Sequence, residues 1–395
     1  MIKRANRIAN LPPYFFAKLG KRIAQLEQEG MDIIRLDIGS PDLPPPHFIL
    51  EELSRSAADS NHHSYAGYYG IPALRRAIAD YYRNRFGVEL DPDTEIIPLI
   101  GSKEGIAHVP TAFVNCGDLV LVPDPGYPTY RMGAVLAEAE SYLVPLLAKN
   151  DYLPDLEAIP ADVLQQAVVL WLNYPNNPTG AVASLHFFEH AVDFARRHNL
   201  LICHDAPYTD VFYDGYKPPS MLQVEGAKDV VLEFNSLSKS HNMAGWRVGM
   251  AVGSAQAVGA LALVKTHLDS GLFRPIQDAA IAALTGDQNW LADRNAIYQE
   301  RRDIVLAALE WAGLPAHKPR ASLYLWPEVP ADSTSTEFAS RLLEETGVSV
   351  TPGTTFGHHG EGYVRISLGQ ATDRIREAMD RLVSFRKHQS MPRRT

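Results

Sequence analysis

Lys239 is the residue of this sequence whose surroundings most favour a chemical role. It lies in the segment SLSKSHNMAGWR, which follows the apolar run Val230–Phe234 and places small hydroxyl residues on both sides of the amine. An isolated lysine is most often a solvated surface residue, but a stretch of small polar residues followed by glycine and tryptophan is unusual for a surface loop. A lysine in a dry crevice loses affinity for its proton and becomes a nucleophile that can condense with a carbonyl group.

Two features of the sequence could hold a phosphate group on the same ligand. Ser236, Ser238 and Arg247 flank the lysine, and hydroxyl and guanidinium groups are ordinary phosphate ligands. The segment GSKEG at residues 101–105 follows an apolar run and opens a helical pattern, so the amides of a helix N-terminus would face outward there. That segment is weak on its own, because it is neither a Walker loop nor a dinucleotide fingerprint.

Asp205 stands at the end of the strand pattern LLICHD and is a candidate partner for a positive charge. An aspartate in this place can simply cap a turn. A buried carboxylate instead needs a cation to stay ionised, and a protonated ring nitrogen supplies one. Tyr208 and Asn177 follow adjacent strand ends and could reach an oxygen on the same ring. Tyr127 in PGYP could lie flat against that ring, or could equally be a core aromatic residue.

These candidates follow short apolar runs that are typical of buried strands. The runs are Leu119–Val122, Val168–Leu172, Leu200–Cys203, Val230–Phe234 and Val248–Val252, and helical patterns such as Leu185–His198, capped by Ser184, separate them. This alternation predicts an α/β fold with a large domain whose mostly parallel sheet is flanked by helices. Because ligands bind beyond the carboxyl ends of such strands, we expect the candidate residues to meet in one crevice.

The pattern changes near Asp287 to long charged helices and short strands. Helices are predicted over Arg294–Trp311 and Ser335–Thr346, with strands around Ser322–Trp326 and Val364–Ser367. This predicts a smaller α+β domain. We therefore divide the chain into residues 1–45 (an N-terminal arm and part of the small domain), 46–286 (the large domain) and 287–395 (the C-terminal small domain).

Composition and charge disfavour several classes of function. The chain has 395 residues, of which 46% are hydrophobic and 21% charged, and its net charge of −9 disfavours sequence-independent binding to nucleic acid. Cys116 and Cys203 both lie within apolar runs, so we expect two buried, reduced thiols and a cytoplasmic location. The stretch Val248–Val264 is typical of a packed strand and helix, so no membrane contact is expected. No spacing of His and Cys predicts a metal site.

Several segments together resemble one known family. NYPNNPTG, HDAPY, SLSKSHNMAGWR and YVRISLG are similar to motifs of the fold-type I, class I/II pyridoxal-phosphate-dependent aminotransferases, which have the aspartate-aminotransferase-like fold. The resemblance runs from about Met31 to Val383. Within the family, LIGSKEGIAH, LVPDPGYPTYR and FNSLSKSHNMAGWRVG are most similar to bacterial LL-diaminopimelate aminotransferase-like enzymes.

The resemblance implies a role for each candidate toward pyridoxal 5'-phosphate, bound in the large domain. Lys239 would be the Schiff-base lysine, and Asp205 would pair with the pyridine nitrogen. Asn177 and Tyr208 would hydrogen-bond the ring hydroxyl, and Tyr127 would stack on the ring. The residues implied around the phosphate are Ser102, Lys103, Ser236, Ser238 and Arg247.

Three further residues and the subunit arrangement are implied in the same way. Arg365 would bind the substrate α-carboxylate, helped by Gly39 and by Asn177. Tyr65 in HSYAGYYG would reach the phosphate from a partner subunit, which implies a homodimer with shared active sites.

The implied reaction is transamination between an L-amino acid and a 2-oxo acid, with glutamate and 2-oxoglutarate as one pair and LL-diaminopimelate as the preferred amino acid. Aspartate-specific relatives carry an arginine in the segment matching Lys265–Ser270, which is KTHLDS here, so aspartate specificity is disfavoured. Plant-like LL-diaminopimelate enzymes have a glutamate where this chain has Tyr68 and Tyr69, which leaves alanine, broad neutral or aromatic substrates open. A C–S β-lyase on the same fold is the alternative chemistry, whereas a regulator that only senses the cofactor is disfavoured.

Overall fold

The computed structural model describes residues 2–9, 11 and 15–390, with side chains described as far as residue 388. The strands are β1 (Ile34–Arg35), β2 (Ile96–Leu99), β3 (Leu119–Asp124), β4 (Glu140–Pro145), β5 (Ala167–Leu172), β6 (Leu201–Asp205), β7 (Val231–Ser236), β8 (Gly249–Gly253), β9 (Tyr324–Leu325), β10 (Val348–Ser349), β11 (Thr351–Pro352) and β12 (Val364–Ser367). The α-helices are α1 (Asn6–Ala9), α2 (Phe15–Gln28), α3 (His47–Ala57), α4 (Pro72–Phe86), α5 (Ser102–Phe113), α6 (Pro128–Leu136), α7 (Ala161–Leu164), α8 (Leu185–His198), α9 (Leu237–Ser240), α10 (Ala255–Leu268), α11 (Arg274–Thr285), α12 (Trp290–Trp311), α13 (Ser335–Thr346) and α14 (Thr372–Ser390).

A seven-stranded sheet in the order β2-β8-β7-β6-β5-β3-β4 forms the centre of the large domain. Its five neighbouring strands from β7 to β4 are parallel, and β8 runs antiparallel to both β7 and β2. The predicted α/β fold with a mostly parallel sheet is therefore confirmed. The predicted helix Leu185–His198 has the predicted bounds, and Ser184 caps it by accepting a hydrogen bond from the amide of Phe187.

Helices cover both faces of this sheet, which explains why its strands are apolar at nearly every position. Along β5, Leu170 and Leu172 pack into one hydrophobic cluster, whereas Val169 and Trp171 pack into the cluster on the opposite face. Cys203 on β6 belongs to the second cluster and is buried. The expectation for Cys116 is wrong: this thiol is exposed, because it lies in the turn between α5 and β3, where no element covers it.

A third hydrophobic cluster is built around the short strands of the C-terminal part. The three-stranded antiparallel sheet β11-β12-β9 and the parallel pair β1-β10 pack with helices α12, α13 and α14. Ile34 and Leu36 contribute to this cluster, which supports the assignment of part of residues 1–45 to the small domain. The division at 1–45, 46–286 and 287–395 remains a prediction, and it includes residues 1, 10, 12–14 and 391–395, which lie outside the described residues.

The predicted elements of this part are present with small differences in their bounds. Helix α13 and strand β12 have the predicted limits, whereas α12 begins four residues earlier than predicted, at Trp290. The predicted strand around Ser322–Trp326 is only two residues long. Within the described ranges, no helix is long and apolar enough to cross a membrane.

Candidate active site

The residues after β3, β5, β6 and β7 line one cavity of about 430 Å³, at the carboxyl ends of these parallel strands. All the predicted site residues except Tyr65 line it: Gly39, Ser102, Lys103, Tyr127, Asn177, Asp205, Tyr208, Ser236, Ser238, Lys239, Arg247 and Arg365. Tyr65 is 89% exposed and lies outside the cavity of its own chain. Its contact with a partner subunit therefore stays a prediction.

Lys239 is held on a single helical turn directly after β7. Ser236, the last residue of the strand, caps this turn by accepting a hydrogen bond from the amide of Ser238. Lys239 Nζ donates a hydrogen bond to the carbonyl oxygen of Gly39. Burial lowers the pKa of Lys239 to about 8; the positive charges of Arg365 and Arg247 act in the same direction, and Asp205 opposes them. The amine therefore loses its proton far more easily than an exposed lysine does.

Asp205, the last residue of β6, presents one carboxylate oxygen that has no partner. Tyr130 donates a hydrogen bond of 2.7 Å to Oδ2, whereas Oδ1 is buried without a hydrogen-bond partner. Burial raises the pKa of Asp205 to about 6, against the lowering effects of Tyr130, His204 and Lys239. A buried oxygen in this state is stabilised by any cation or donor that enters the cavity.

Asn177 and Tyr208 lie on adjacent sides of the cavity, each held by a neighbouring side chain. The amide of Asn177 donates to Asn173 Oδ1, and Asn173 Nδ2 donates to the carbonyl oxygen of Asp205, so two strand ends are tied together. The Tyr208 hydroxyl lies 2.9 Å from the Tyr324 hydroxyl. Burial raises the pKa of Tyr208 well above its usual value, so it stays a neutral hydrogen-bond donor.

An anion could be held where α5 begins. Ser102 and Lys103, in the first turn of this helix, line the cavity and place it at the positive end of the helix dipole. A Cβ at Gly101 would lie 2.1 Å from Arg247 Nη2, so the glycine lets the guanidinium pack over the start of the helix. Arg247 itself has a φ of 59°, a strained conformation for a non-glycine residue that is common at functional sites.

Arg365 on β12 is oriented by contacts on every side except one. Nη1 donates to Asn177 Oδ1 over 2.9 Å, and Nη2 donates to the carbonyl oxygen of Asp37 over 2.6 Å. The guanidinium also lies near two aromatic rings, with Cζ 4.3 Å from the ring centroid of Tyr324 and 4.8 Å from that of Phe356. Nε is buried without a partner, so one edge is left for a carboxylate.

Tyr130, Tyr324 and Phe356 contact residues of this site and were not predicted from the sequence. Tyr130 lies in the first turn of α6, three residues after Tyr127 at the N-cap, and this short spacing could have indicated its position. Tyr324 and Phe356 belong to the small-domain part, and no signal in the sequence indicates that they pack against residues from the large sheet. Their contacts depend on how the two parts of the chain meet.

The matching family defines the class to which this fold and site belong. The sequence model described as "Aminotransferase class I and II" matches residues 31–382, so the chain belongs to that family and the predicted resemblance is confirmed. Enzymes of this family use pyridoxal phosphate.

Individual relatives extend the similarity over nearly the whole chain. A protein of Dehalococcoides mccartyi named LL-diaminopimelate aminotransferase is 51% identical over 386 residues, covering 98% of this chain and all of that protein. A protein of the same name from Desulforudis audaxviator is 52% identical over 378 residues and covers 96% of each chain. Among solved structures, substrate-bound BacF from Bacillus subtilis superposes with a TM-score of 0.94, at 39% identity and 98% coverage of both chains.

Proposed function

We propose that this aminotransferase uses pyridoxal phosphate to exchange the amino group between LL-diaminopimelate and 2-oxoglutarate. One observation carries the proposal: Lys239, Asp205 and Arg365 converge on one cavity, with an amine of lowered pKa, an unpartnered carboxylate oxygen and an unpartnered guanidinium nitrogen. The relatives at about 50% identity that are named LL-diaminopimelate aminotransferase support the substrate.

The residues of the cavity fit the cofactor at three separate points. Lys239 offers an amine of lowered pKa, and Asp205 Oδ1 offers a buried acceptor for a protonated ring nitrogen. The start of α5 and the Arg247 guanidinium offer a positive environment for a phosphate. When bound, the cofactor supplies an aldehyde that bonds to amines and a ring that withdraws electrons from the substrate α-carbon.

Lys239 acts as the base in this proposal. As a free amine, Nζ would accept the proton that leaves the substrate α-carbon. A pKa of about 8 suits this step, because both protonation states of the amine are populated near neutral pH. Asp205 would pair with the ring nitrogen of the bound cofactor, and a positive charge on that nitrogen would lower the pKa of Asp205 from about 6.

Arg365 orients the substrate. Its fixed guanidinium binds the α-carboxylate, and Asn177 holds Nη1 from the other side at 2.9 Å. Fixing the carboxylate fixes the direction of the bond from the α-carbon to its hydrogen, which must point toward Lys239.

The lysine of the segment Lys265–Ser270 lies outside this cavity. Lys265, the cation of KTHLDS, is buried and paired with Asp269 at 2.8 Å and Glu104 at 3.4 Å, and it does not line the cavity. Because Lys265 is paired outside the cavity, this arrangement supports the prediction that the enzyme is not specific for aspartate.

We further propose a cytoplasmic homodimer in which Tyr65 is delivered to the partner's site. Tyr65 is 89% exposed, and the nearby Phe273, whose ring lies 5.8 Å from that of His63, is also exposed, which supports a subunit contact there.

A panel of half-reactions tests the proposal. The purified holoenzyme is mixed with LL-diaminopimelate, alanine, glutamate, aspartate or phenylalanine, and the absorbance of the bound cofactor is followed. We expect large shifts with LL-diaminopimelate and glutamate. A large shift with alanine and none with LL-diaminopimelate would overturn the substrate, and release of ammonia and pyruvate without an oxo-acid acceptor would identify a lyase instead.

A further inference from the structure

Tyr324 contacts both halves of the site, although the roles proposed above do not include it. It lies on β9, is 2% exposed and lines the cavity. Its hydroxyl lies 2.9 Å from the hydroxyl of Tyr208, and its ring centroid lies 4.3 Å from Cζ of Arg365. One side chain thus connects the residue placed at the cofactor ring with the residue placed at the substrate carboxylate.

Gly39 makes room for the Tyr324 hydroxyl. A Cβ at this glycine would lie 1.9 Å from Oη of Tyr324 and 2.8 Å from Cζ, so a side chain at position 39 would displace the tyrosine. The carbonyl oxygen of Gly39 also accepts the hydrogen bond from Lys239 Nζ. The hydroxyl is therefore fixed between the Gly39 backbone and Tyr208.

The hydroxyl pair has a preferred direction once an acceptor enters the cavity. A phenol donates only one proton, so Tyr208 can donate to a ligand oxygen only if Tyr324 donates to Tyr208. Such a chain strengthens the outer donor, because each hydrogen bond polarises the next one. The raised pKa of Tyr208 keeps its proton in place for this purpose.

The ring of Tyr324 has a separate role. The rings of Tyr324 and Phe356 lie 4.3 Å and 4.8 Å from Cζ of Arg365, and aromatic rings at such distances attract a guanidinium through the cation–π interaction. With Nη1 and Nη2 bound to Asn177 and Asp37, the rings hold the orientation in which Nε is left without a hydrogen-bond partner.

We infer that Tyr324 is a positioning residue with two separable parts: its hydroxyl supports Tyr208 as a donor to the cofactor ring oxygen, and its ring supports Arg365 as the substrate carboxylate site. This inference rests on the proposed function, since it takes the role of Arg365 from there and the role of Tyr208 at the ring hydroxyl from the family resemblance.

Two substitutions separate the two parts in the purified holoenzyme. Tyr324→Phe removes the hydroxyl and keeps the ring, whereas Tyr324→Leu removes both. Tyr298→Phe is the matched control, because its buried hydroxyl has no hydrogen-bond partner and does not line the cavity. Three quantities are measured for each variant: the pH midpoint of the cofactor absorbance change, and KM and kcat for the amino acid.

The expected results differ between the variants. In Tyr324→Phe the pH midpoint should rise by about 0.3 to 1 unit, because a weaker donor stabilises an anionic ring oxygen less and the Lys239 linkage beside it keeps its proton to higher pH. KM should change less than about twofold in this variant. Tyr324→Leu should show the same midpoint shift together with a rise in KM of about 3- to 30-fold. Tyr298→Phe should match the wild type in all three.

The result that overturns the inference differs from the result that overturns the proposed function. An unchanged midpoint in Tyr324→Phe, equal rises of KM in both Tyr324 variants, or a shifted midpoint in Tyr298→Phe would each refute the two-part role. If the wild type itself shows no cofactor band and no borohydride-trapped Lys239, the proposed function fails instead.

Discussion

Tyr130 and Asp205 form a fixed pair at the base of the cavity. The Tyr130 hydroxyl donates to Asp205 Oδ2 over 2.7 Å, and the Tyr130 ring is stacked on Trp171 with centroids 4.6 Å apart and planes 12° apart. Since Tyr130 and Trp171 are both buried, the carboxylate keeps its orientation before any ligand binds. Oδ1 is left as the free acceptor, so this charge needs little reorganisation during catalysis.

Replacing Asp205 by asparagine should nearly abolish catalysis. Asp205→Asn keeps the shape and removes the negative charge, so a ring nitrogen beside it would no longer stay protonated. We expect the rate of the half-reaction with LL-diaminopimelate to fall by about 10³-fold. Stopped-flow absorbance measures this rate. Asp193→Asn, at an exposed position on α8, is the control and should react at the wild-type rate. A wild-type rate in Asp205→Asn would show that another group pairs with the ring nitrogen.

The same substitution should alter the pH dependence of unfolding in the cofactor-free protein. Asp205 has a pKa of about 6 in the folded chain against 3.8 ordinarily, so ionisation of this carboxyl group disfavours the folded state. The resulting loss in the free energy of unfolding grows as the pH rises above about 4, and it reaches about 3 kcal/mol above pH 7. Asp205→Asn does not bear this cost. Urea unfolding at pH 5 and pH 7 measures the difference in the free energy of unfolding between the variant and the wild type. This difference should shift in favour of the variant by about 1 kcal/mol from pH 5 to pH 7. An equal difference at both values would contradict the raised pKa.

Attachment of the cofactor should follow the protonation of Lys239. Only the neutral amine attacks an aldehyde, so the rate at which pyridoxal phosphate bonds to the cofactor-free protein should rise with pH through a midpoint of about 8. Free lysine should instead have its midpoint near 10.4. Borohydride trapping followed by peptide mapping measures the attachment. Lys239→Ala should trap nothing at this position and lose turnover while keeping the fold, whereas normal turnover in that variant would refute the assignment.

The sequence predicts the large sheet and its strand ends well, because both depend on local patterns. Near-continuous apolar runs identify β5 and β6, and Asn177 after β5 and Asp205 at the end of β6 line the cavity as expected. The parallel connections bring these strand ends to one edge of the sheet. Similarity to the family then adds residues such as Arg365, whose own surroundings in the sequence do not indicate a role.

Contacts between distant parts of the chain could not be predicted in this way. Tyr324 and Gly39 are 285 positions apart, and they fit together only because the small-domain strand β9 packs against the segment after β1. Similarly, Cys116 lies in an apolar stretch of sequence but is exposed, because burial depends on which element covers a turn. Such contacts are properties of packing and leave no local pattern.

The fit between Gly39 and Tyr324 should make position 39 intolerant of any side chain. Gly39→Ala places a Cβ 1.9 Å from Oη of Tyr324, so the tyrosine must move away from Tyr208 and Arg365. We expect a loss of about 1 to 3 kcal/mol in the free energy of unfolding, together with a raised KM. Gly20→Ala is the control: this glycine lies inside α2 with open space around it, so alanine should stabilise the protein by about 0.5 to 1 kcal/mol. Urea unfolding of both variants tests whether the free energy of unfolding falls in Gly39→Ala and rises in Gly20→Ala.

Mixing two inactive variants should restore activity if the active sites are shared between subunits. Lys239 lies in the cavity of its own chain, whereas Tyr65 is 89% exposed and outside that cavity. If Tyr65 acts on the partner's cofactor, Tyr65→Ala and Lys239→Ala each damage both sites of their homodimers. A mixed dimer then contains one site with a native Lys239 and a native Tyr65, and one site lacking both.

Refolding the two variants together at equal concentrations should give half mixed dimers, and therefore about a quarter of the wild-type activity. The refolded homodimers of each variant are the controls, and they should remain at their low activities. If Tyr65 acted within its own chain, every site of the mixed dimer would lack one of the two residues, and mixing would restore nothing. Recovered activity thus distinguishes the crossed arrangement from the uncrossed one, because the two differ only in which chain supplies Tyr65 to a site.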